Sequence, residues 1–139
     1  MLRIQRLLLL LALTLMLSAC PNAKSDQKLL DKTLESFSSQ LRWGEDFNQT
    51  LGFLDPAERD KLQPKPLEIE RWNQYRVIGV HSQPALIDGQ GLGRQRMSVE
   101  LVSRHTQITR TIQFDTLWRF DSETDRWYLI SPFPLLRND

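Results

Sequence analysis

The chain has 139 residues, 40% of them hydrophobic and 25% charged, enough for one packed domain once a targeting segment is set aside. Its formal charge is +1; two of its 18 basic residues, Arg3 and Arg6, fall in the leader described below, leaving 16 against 17 acidic residues and a net of −1. A near-neutral chain without a run of lysine and arginine lacks the electrostatic footprint behind most nucleic-acid affinity, and its single cysteine excludes an intramolecular disulfide, so packing must hold the fold.

Residues 1–6 carry both leader arginines, and residues 7–17 are leucine, alanine and methionine interrupted by Thr14, the n-region and h-region of a signal peptide. As a helix such a run rises about 16 Å, against about 30 Å for a hydrocarbon core, which predicts a leader rather than a permanent span. It ends in Leu17-Ser18-Ala19-Cys20, which resembles the lipobox of bacterial lipoproteins: an aliphatic residue, two small residues, then cysteine. The resemblance implies cleavage between Ala19 and Cys20, a thioether from the Cys20 thiol to a diacylglycerol, and acylation of the new amino group. Only cysteine offers a thiolate to the lipid donor. Two or three acyl chains, at about 0.8 kcal/mol per buried methylene, exceed what stable anchoring needs. The first expected partner is therefore a membrane, reached through lipid on Cys20. In enteric lipoproteins an aspartate after the lipidated cysteine retains the protein at the inner membrane. Pro21 stands there instead, so the resemblance implies a periplasm-facing protein, on the outer membrane in preference to the inner.

Residues 20–27 read as a small, polar, lipidated tether and residues 28–139 as one domain. Leu30, Leu34, Phe37 and Leu41, spaced by four, three and four, predict an amphipathic helix that Ser25 or Asp26 starts and Gly44 ends. Phe47, Leu51 and Leu54 predict a second, short helix. Asp55-Pro56-Ala57-Glu58 is a start signal, with Asp55 as N-cap, Pro56 at the first helical position and Glu58 closing a capping box, for a helix to about Leu62. Pro64 and Pro66 are expected to stop it and open an extended segment.

Beyond Pro66 the apolar period becomes two. Residues 75–80 form a strand, and Met97, Val99 and Leu101 line one face of another. Ile108, Ile112, Phe114, Trp118 and Phe120 share a face with Arg110 and Thr116 along a third, long strand. Residues 121–125 are a polar hairpin turn leading to a last strand from Trp127. Residues 87–93, with Gly89, Gly91 and Gly93, are expected to be a mobile loop. The order of elements predicts an α+β domain, with N-terminal helices packed on a curved antiparallel sheet of about four strands.

Phe47, the step Leu54-Asp55-Pro56-Ala57, and the closing pattern Trp118-Arg119-Phe120-Asp121 with Arg126-Trp127-Tyr128-Leu129 resemble the cystatin-like cone of nuclear transport factor 2-like proteins. The resemblance spans roughly residues 28–134 and is one of pattern, without a signature motif. It implies a conical pocket of the kind members use for steroids, small acids, partner peptides or self-association. Trp72, Tyr75, Arg110, Phe114 and Trp118 are its candidate lining. Enzymes of that superfamily place an Asp, His or Tyr in the cone, but no such motif aligns here, so no catalytic residue is assigned.

His81 and His105 are the only histidines and lack metal-ligand spacing, so neither metal nor cofactor is expected. Asp46 and Asp115 would make an acid/base set with His81 only if the fold gathered them; a helix first turn and a solvated strand face are their plainer roles. Gly89-Gln90-Gly91-Leu92-Gly93 has the glycines of a phosphate loop but no following helix, and reads as a hairpin. Trp43, Trp72, Trp118 and Trp127 read as core before pocket, and Arg110, alone among apolar neighbours, as a pocket mouth or a snorkelling side chain. Two functions follow. One is a lipid-tethered binding or assembly module of the cell envelope, holding an envelope protein or small apolar ligand. The other is a small tethered enzyme, isomerase or hydrolase in type, with a cone-shaped site.

Overall fold

Helix α1, Asn22–Trp43, leads the computed structural model, which describes residues 22–137. A 3₁₀ helix Phe47–Phe53 follows, then α2, Arg59–Leu62, and α3, Pro66–Asn73. The strands are β1 (Tyr75–Ser82), β2 (Leu86–Ile87), β3 (Leu92–Ser103), β4 (Thr109–Asp121) and β5 (Arg126–Leu129). They form one antiparallel sheet in the order β1-β3-β4-β5, with β2 also on β3. The sheet is curled, and the helices pack on one face of it, an α+β fold.

The α1 stripe falls where its spacing placed it, with Leu30, Leu34, Phe37 and Leu41 all buried. Opposite lie the inward positions of β3 and β4, where Gly93, Gln95, Met97, Val99 and Leu101 stand beside Trp118, Thr116, Phe114, Ile112 and Arg110. Phe37 meets Trp118 edge to face at 5.2 Å, a geometry that sets a positive ring edge on a negative ring face. A Cβ on Gly93 would come within 2.7 Å of Leu30 Cδ2, so the bare backbone there lets the helix sit close to β3. Trp127 Nε1 donates to the Asp26 carbonyl at 3.2 Å and Gln27 Nε2 to that of Ala85 at 3.2 Å, fastening the first turns of α1 to the sheet. Gly44 N–H returns to the Gln40 carbonyl at 2.8 Å and closes the helix.

Several expectations are corrected. Helix α1 begins at Asn22 and runs through Ser25 and Asp26, so most of the stretch expected to be tether is helix. The second helix is a 3₁₀ segment, capped by Asp46, whose carboxylate accepts Asn48 N–H at 2.8 Å. Asp55 does cap a turn, accepting Ala57 N–H at 2.9 Å, but the helix waits until Arg59. Pro66 opens α3 instead of an extended segment. It occupies the first turn, where a missing N–H costs nothing, and Glu68 reaches back to Lys65 N–H at 2.9 Å. The glycine-rich loop is a tight turn held by Asp88, whose Oδ1 accepts Gln90 N–H and Leu92 N–H at 2.9 and 3.0 Å. Gly91 supplies the positive φ of 77° that this turn needs.

Ile112 and Phe114 are only half-buried, because β5 pairs with β4 no farther back than Trp118 and leaves the first half of β4 at the sheet edge. The two phenylalanines should therefore separate in stability. Phe37→Ala should cost about 3–5 kcal/mol, and Phe114→Ala about 1–2 kcal/mol for the smaller area it buries. Urea denaturation midpoints at constant slope check the ranking, and equal losses would contradict it.

Candidate functional site

The five residues expected to line a pocket meet different fates. Trp118 and Trp72 are 0% and 4% exposed and belong to the core. Trp72 stacks on Phe47 at 4.7 Å with the rings 10° apart. The indole of Trp118 donates to Thr116 Oγ1 at 2.9 Å, and that hydroxyl donates to the Gln95 carbonyl at 3.2 Å, which satisfies the polar atoms of those two buried side chains. Phe114 lies at the edge. Tyr75 and Arg110 are the pair that the fold brings together, with the guanidinium 4.7 Å above the phenol ring. Tyr75 and Trp72 also flank a narrow cleft of about 50 Å³ between the end of α1, the 3₁₀ helix and β1.

Where a cone would open, the chain fills the space with its own C-terminal segment. Ile130 N–H donates to the Leu117 carbonyl at 2.8 Å, and the backbone then leaves β4 to cross the helix-covered face. Phe133 inserts edge-on against Phe47 at 4.9 Å and lies 6.2 Å from Phe37. Leu136 is 3% exposed. Two side-chain donors hold the strap: Trp72 Nε1 to the Pro134 carbonyl at 3.3 Å, and Arg110 Nη1 to that of Arg137 at 2.8 Å. Arg110, which one sequence reading placed at a pocket mouth, instead serves this segment. Its Nε is buried without a partner among the described residues. Composition held a signal for the strap: Pro132-Phe133-Pro134-Leu135-Leu136 sets apolar residues among prolines that exclude both helix and sheet interior.

The opposite face of the sheet carries cross-strand pairs. Arg96 and Asp115, directly opposed on β3 and β4, join through two parallel bonds of 2.8 and 2.9 Å, the fork geometry that suits a guanidinium to a carboxylate. Arg94 Nε donates to Asp88 at 2.7 Å, and His81 Nε2 lies 3.2 Å from Glu100. The fourth pair is buried at one end: Asp55, 1% exposed, receives Arg119 Nε at 2.7 Å and Nη2 at 2.6 Å on one oxygen while the other accepts Ala57 N–H. Between Leu86, Asp88, Arg94, Arg96, Asp115 and Leu117 runs an open groove of about 650 Å³.

His81, Asp46 and Asp115, considered together as an acid/base set, have three separate partners: Glu100, Asn48 and Arg96. His105 lies exposed in the turn after β3. Among the described residues no group of three or more His, Cys, Asp or Glu is placed to hold a metal ion. Nor is any described helix long and apolar enough to cross a membrane. The leader, Ala19 and Cys20 lie outside the described residues. No protein-family model, curated protein or solved structure matches the chain.

Hydrogen bonds hold four carboxyls below their ordinary value of 3.8. Asn48 N–H does so for Asp46, Arg94 and then Leu92 N–H for Asp88, Arg96 for Asp115, and Thr124 and then Glu123 N–H for Asp121. A depressed carboxyl stabilises the fold above its unfolded pKa and loses that contribution as pH falls through the folded one. Stability from these groups is thus complete at neutral pH and drains below about pH 4. Thermal melts from pH 7 down to pH 2 should show that loss, and Asp115→Asn should make it shallower. A variant with the parent's acid-side slope would remove Asp115 from the explanation.

Proposed function

We propose that this chain is a lipoprotein of the bacterial envelope, held to the membrane by lipid on Cys20 and facing the periplasm, whose α+β domain acts as a binding or assembly module. The single observation that carries the anchoring is Leu17-Ser18-Ala19-Cys20, directly behind an n-region and an apolar run, with the chain's lone cysteine in the lipobox position. Helix α1 starts at Asn22, two residues beyond Cys20, so the domain would stand close to the bilayer surface, with little slack between lipid and fold. Pro21 in place of aspartate supports the outer membrane by the enteric sorting pattern.

The structure supports binding over catalysis in two ways. The space beneath α1 that would hold a substrate takes Phe133 and Leu136, while the groups considered for acid/base chemistry point to unrelated partners. A catalytic site needs its groups in mutual reach. What the domain presents outward is a broad sheet face and a free strand edge, surfaces that suit another macromolecule. The weak resemblance to nuclear transport factor 2-like cones accords with the curled sheet and its helical cover.

Intact mass of the membrane-extracted protein should place the N-terminus at Cys20 with added acyl mass, and Cys20→Ala should leave the protein uncleaved or released from the membrane. A mature N-terminus elsewhere, without acyl mass, would overturn the anchoring. For the binding reading, His81→Ala, His105→Ala and Asp46→Asn should each restore a deletion strain to the parent's level. Loss of complementation by one of them, at normal membrane abundance, would bring the enzyme forward.

A further inference from the structure

The outer edge of β4 is unpaired ahead of Leu117, and the direction of its backbone groups follows residue by residue from its register. Leu117 directs both its backbone groups away from β3, since its N–H donates to Ser131 Oγ at 3.0 Å and its carbonyl accepts Ile130 N–H. Backbone groups alternate sides along a strand. The register of β4 on β3 is unbroken from Thr109 to Arg119, so Thr109, Thr111, Gln113 and Asp115 direct theirs outward as well. Among the described residues none of these outward groups is bonded, and all four side chains are exposed. The edge is bounded. At one end the chain following β5 takes over at Leu117, and at the other the turn from Arg104 closes with Ile108 bonded inward to Ser103.

Edges of this kind are normally blunted by bulges, prolines, charged side chains or covering groups. The other long edge, β1, shows such devices: its register is interrupted by a bulge at Ile78, and Arg42 of α1 donates to the Val77 carbonyl at 2.8 Å. The free half of β4 has no bulge and no proline, and its two charges are engaged within the molecule, Arg110 with Tyr75 and the Arg137 carbonyl and Asp115 with Arg96.

We propose that this edge pairs with the same edge of a second copy of the chain, antiparallel about a two-fold axis at Ile112, so that one sheet runs through both molecules. The register follows from the free groups. Only an axis at Ile112 sets Thr109 opposite Asp115 and Thr111 opposite Gln113 and uses every outward N–H and carbonyl. In that register Arg110 faces Phe114 of the other copy and Ile112 faces its own counterpart, both on the helix-covered side. No like charges meet, and the apolar edge residues left half-exposed in one molecule find partners in the next. Parallel in-register stacking is disfavoured by the same residues, because it lays Arg110 beside Arg110 and Asp115 beside Asp115. The inference does not depend on the lipid at Cys20.

Ile112 would form a non-hydrogen-bonded pair, with Cα atoms about 4.5 Å apart, within disulfide reach. Thr109 would stand six residues from its own counterpart, about 20 Å along the strand. The full chain bearing Ile112→Cys, expressed in bacterial cells and oxidised, should give a covalent dimer on non-reducing gels. Thr109→Cys should stay at the background of the parent, which has Cys20 alone. Sedimentation equilibrium in density-matched detergent should show the parent as a dimer and Thr111→Pro, which removes one outward N–H and no bond to β3, as a monomer with unchanged circular dichroism. A monomeric parent would overturn the proposal, and so would a dimer that survives Thr111→Pro without crosslinking at position 112. Equal crosslinking at positions 109 and 112 would overturn the antiparallel register.

Discussion

The apolar stripe of α1 meets the sheet at Trp118, and the arrangement of the other elements follows from the closeness of that contact. One long helix has to cover a sheet whose two central strands run for 12 and 13 residues. It can do so only if it lies near the backbone, which Gly93 allows by presenting no Cβ to Leu30, and only if a large ring fills the opposite strand position, which Trp118 does. Packed interiors tolerate neither a void nor an overlap at such a point. The polar ends of the two buried indoles of β4 and β5 are satisfied locally, Trp118 by Thr116 and Trp127 by the Asp26 carbonyl, so the rings are held by position as well as by burial.

A single helix leaves part of the curled face uncovered, and the remaining elements close it. The 3₁₀ helix and α3 bring Phe47 and Trp72 to one side as a stacked pair, and the C-terminal segment slides Phe133 against them. Asp55 joins the helical connection to the sheet twice: its backbone N–H donates to the Leu129 carbonyl at 3.0 Å, and its buried carboxylate holds Arg119. Burying a carboxylate is tolerable because each oxygen receives a donor; removal of Arg119 alone would leave that charge uncompensated, a far larger penalty than the net worth of the pair. The interior is thus closed by the chain itself, which directs attention to the outer surfaces for any partner.

Those outer surfaces differ in kind. The open sheet face carries two neutralising pairs, Arg96 with Asp115 and Arg94 with Asp88, and a hydrogen-bonded contact of His81 with Glu100, each exposed enough that solvent screening limits its value to the fold. They hold the face in water and oppose nonspecific stacking of sheets. The edge of β4 is the contrasting surface, since backbone groups cannot be neutralised by side-chain exchange and keep their pairing capacity. With the domain held close to a membrane by its lipid, as proposed, molecules diffuse in two dimensions, and a strand edge is a natural place for them to meet.

Local patterns in the sequence determined much of this protein. The four-three-four spacing of α1, the alternation of β3 and β4, the turn at residues 121–125 and the α+β class were all legible, because each depends on near neighbours and on a period imposed by backbone geometry. The lipobox-like run behind the proposed anchor is likewise contiguous in the sequence. Tertiary structure decided what depends on distant segments. Pro66 reads equally as a stop or a start until Glu68 is seen folding back on Lys65. Asp55 looks like a plain cap until Arg119, 64 residues away, reaches it. Phe114 alternates with the core residues yet is half-exposed, since burial there requires a fifth strand that ends too soon to cover it. The pocket expected from Trp72, Tyr75, Arg110, Phe114 and Trp118 is occupied by Phe133 and Leu136, because residue type alone carries no information about which part of the chain will fill a given space.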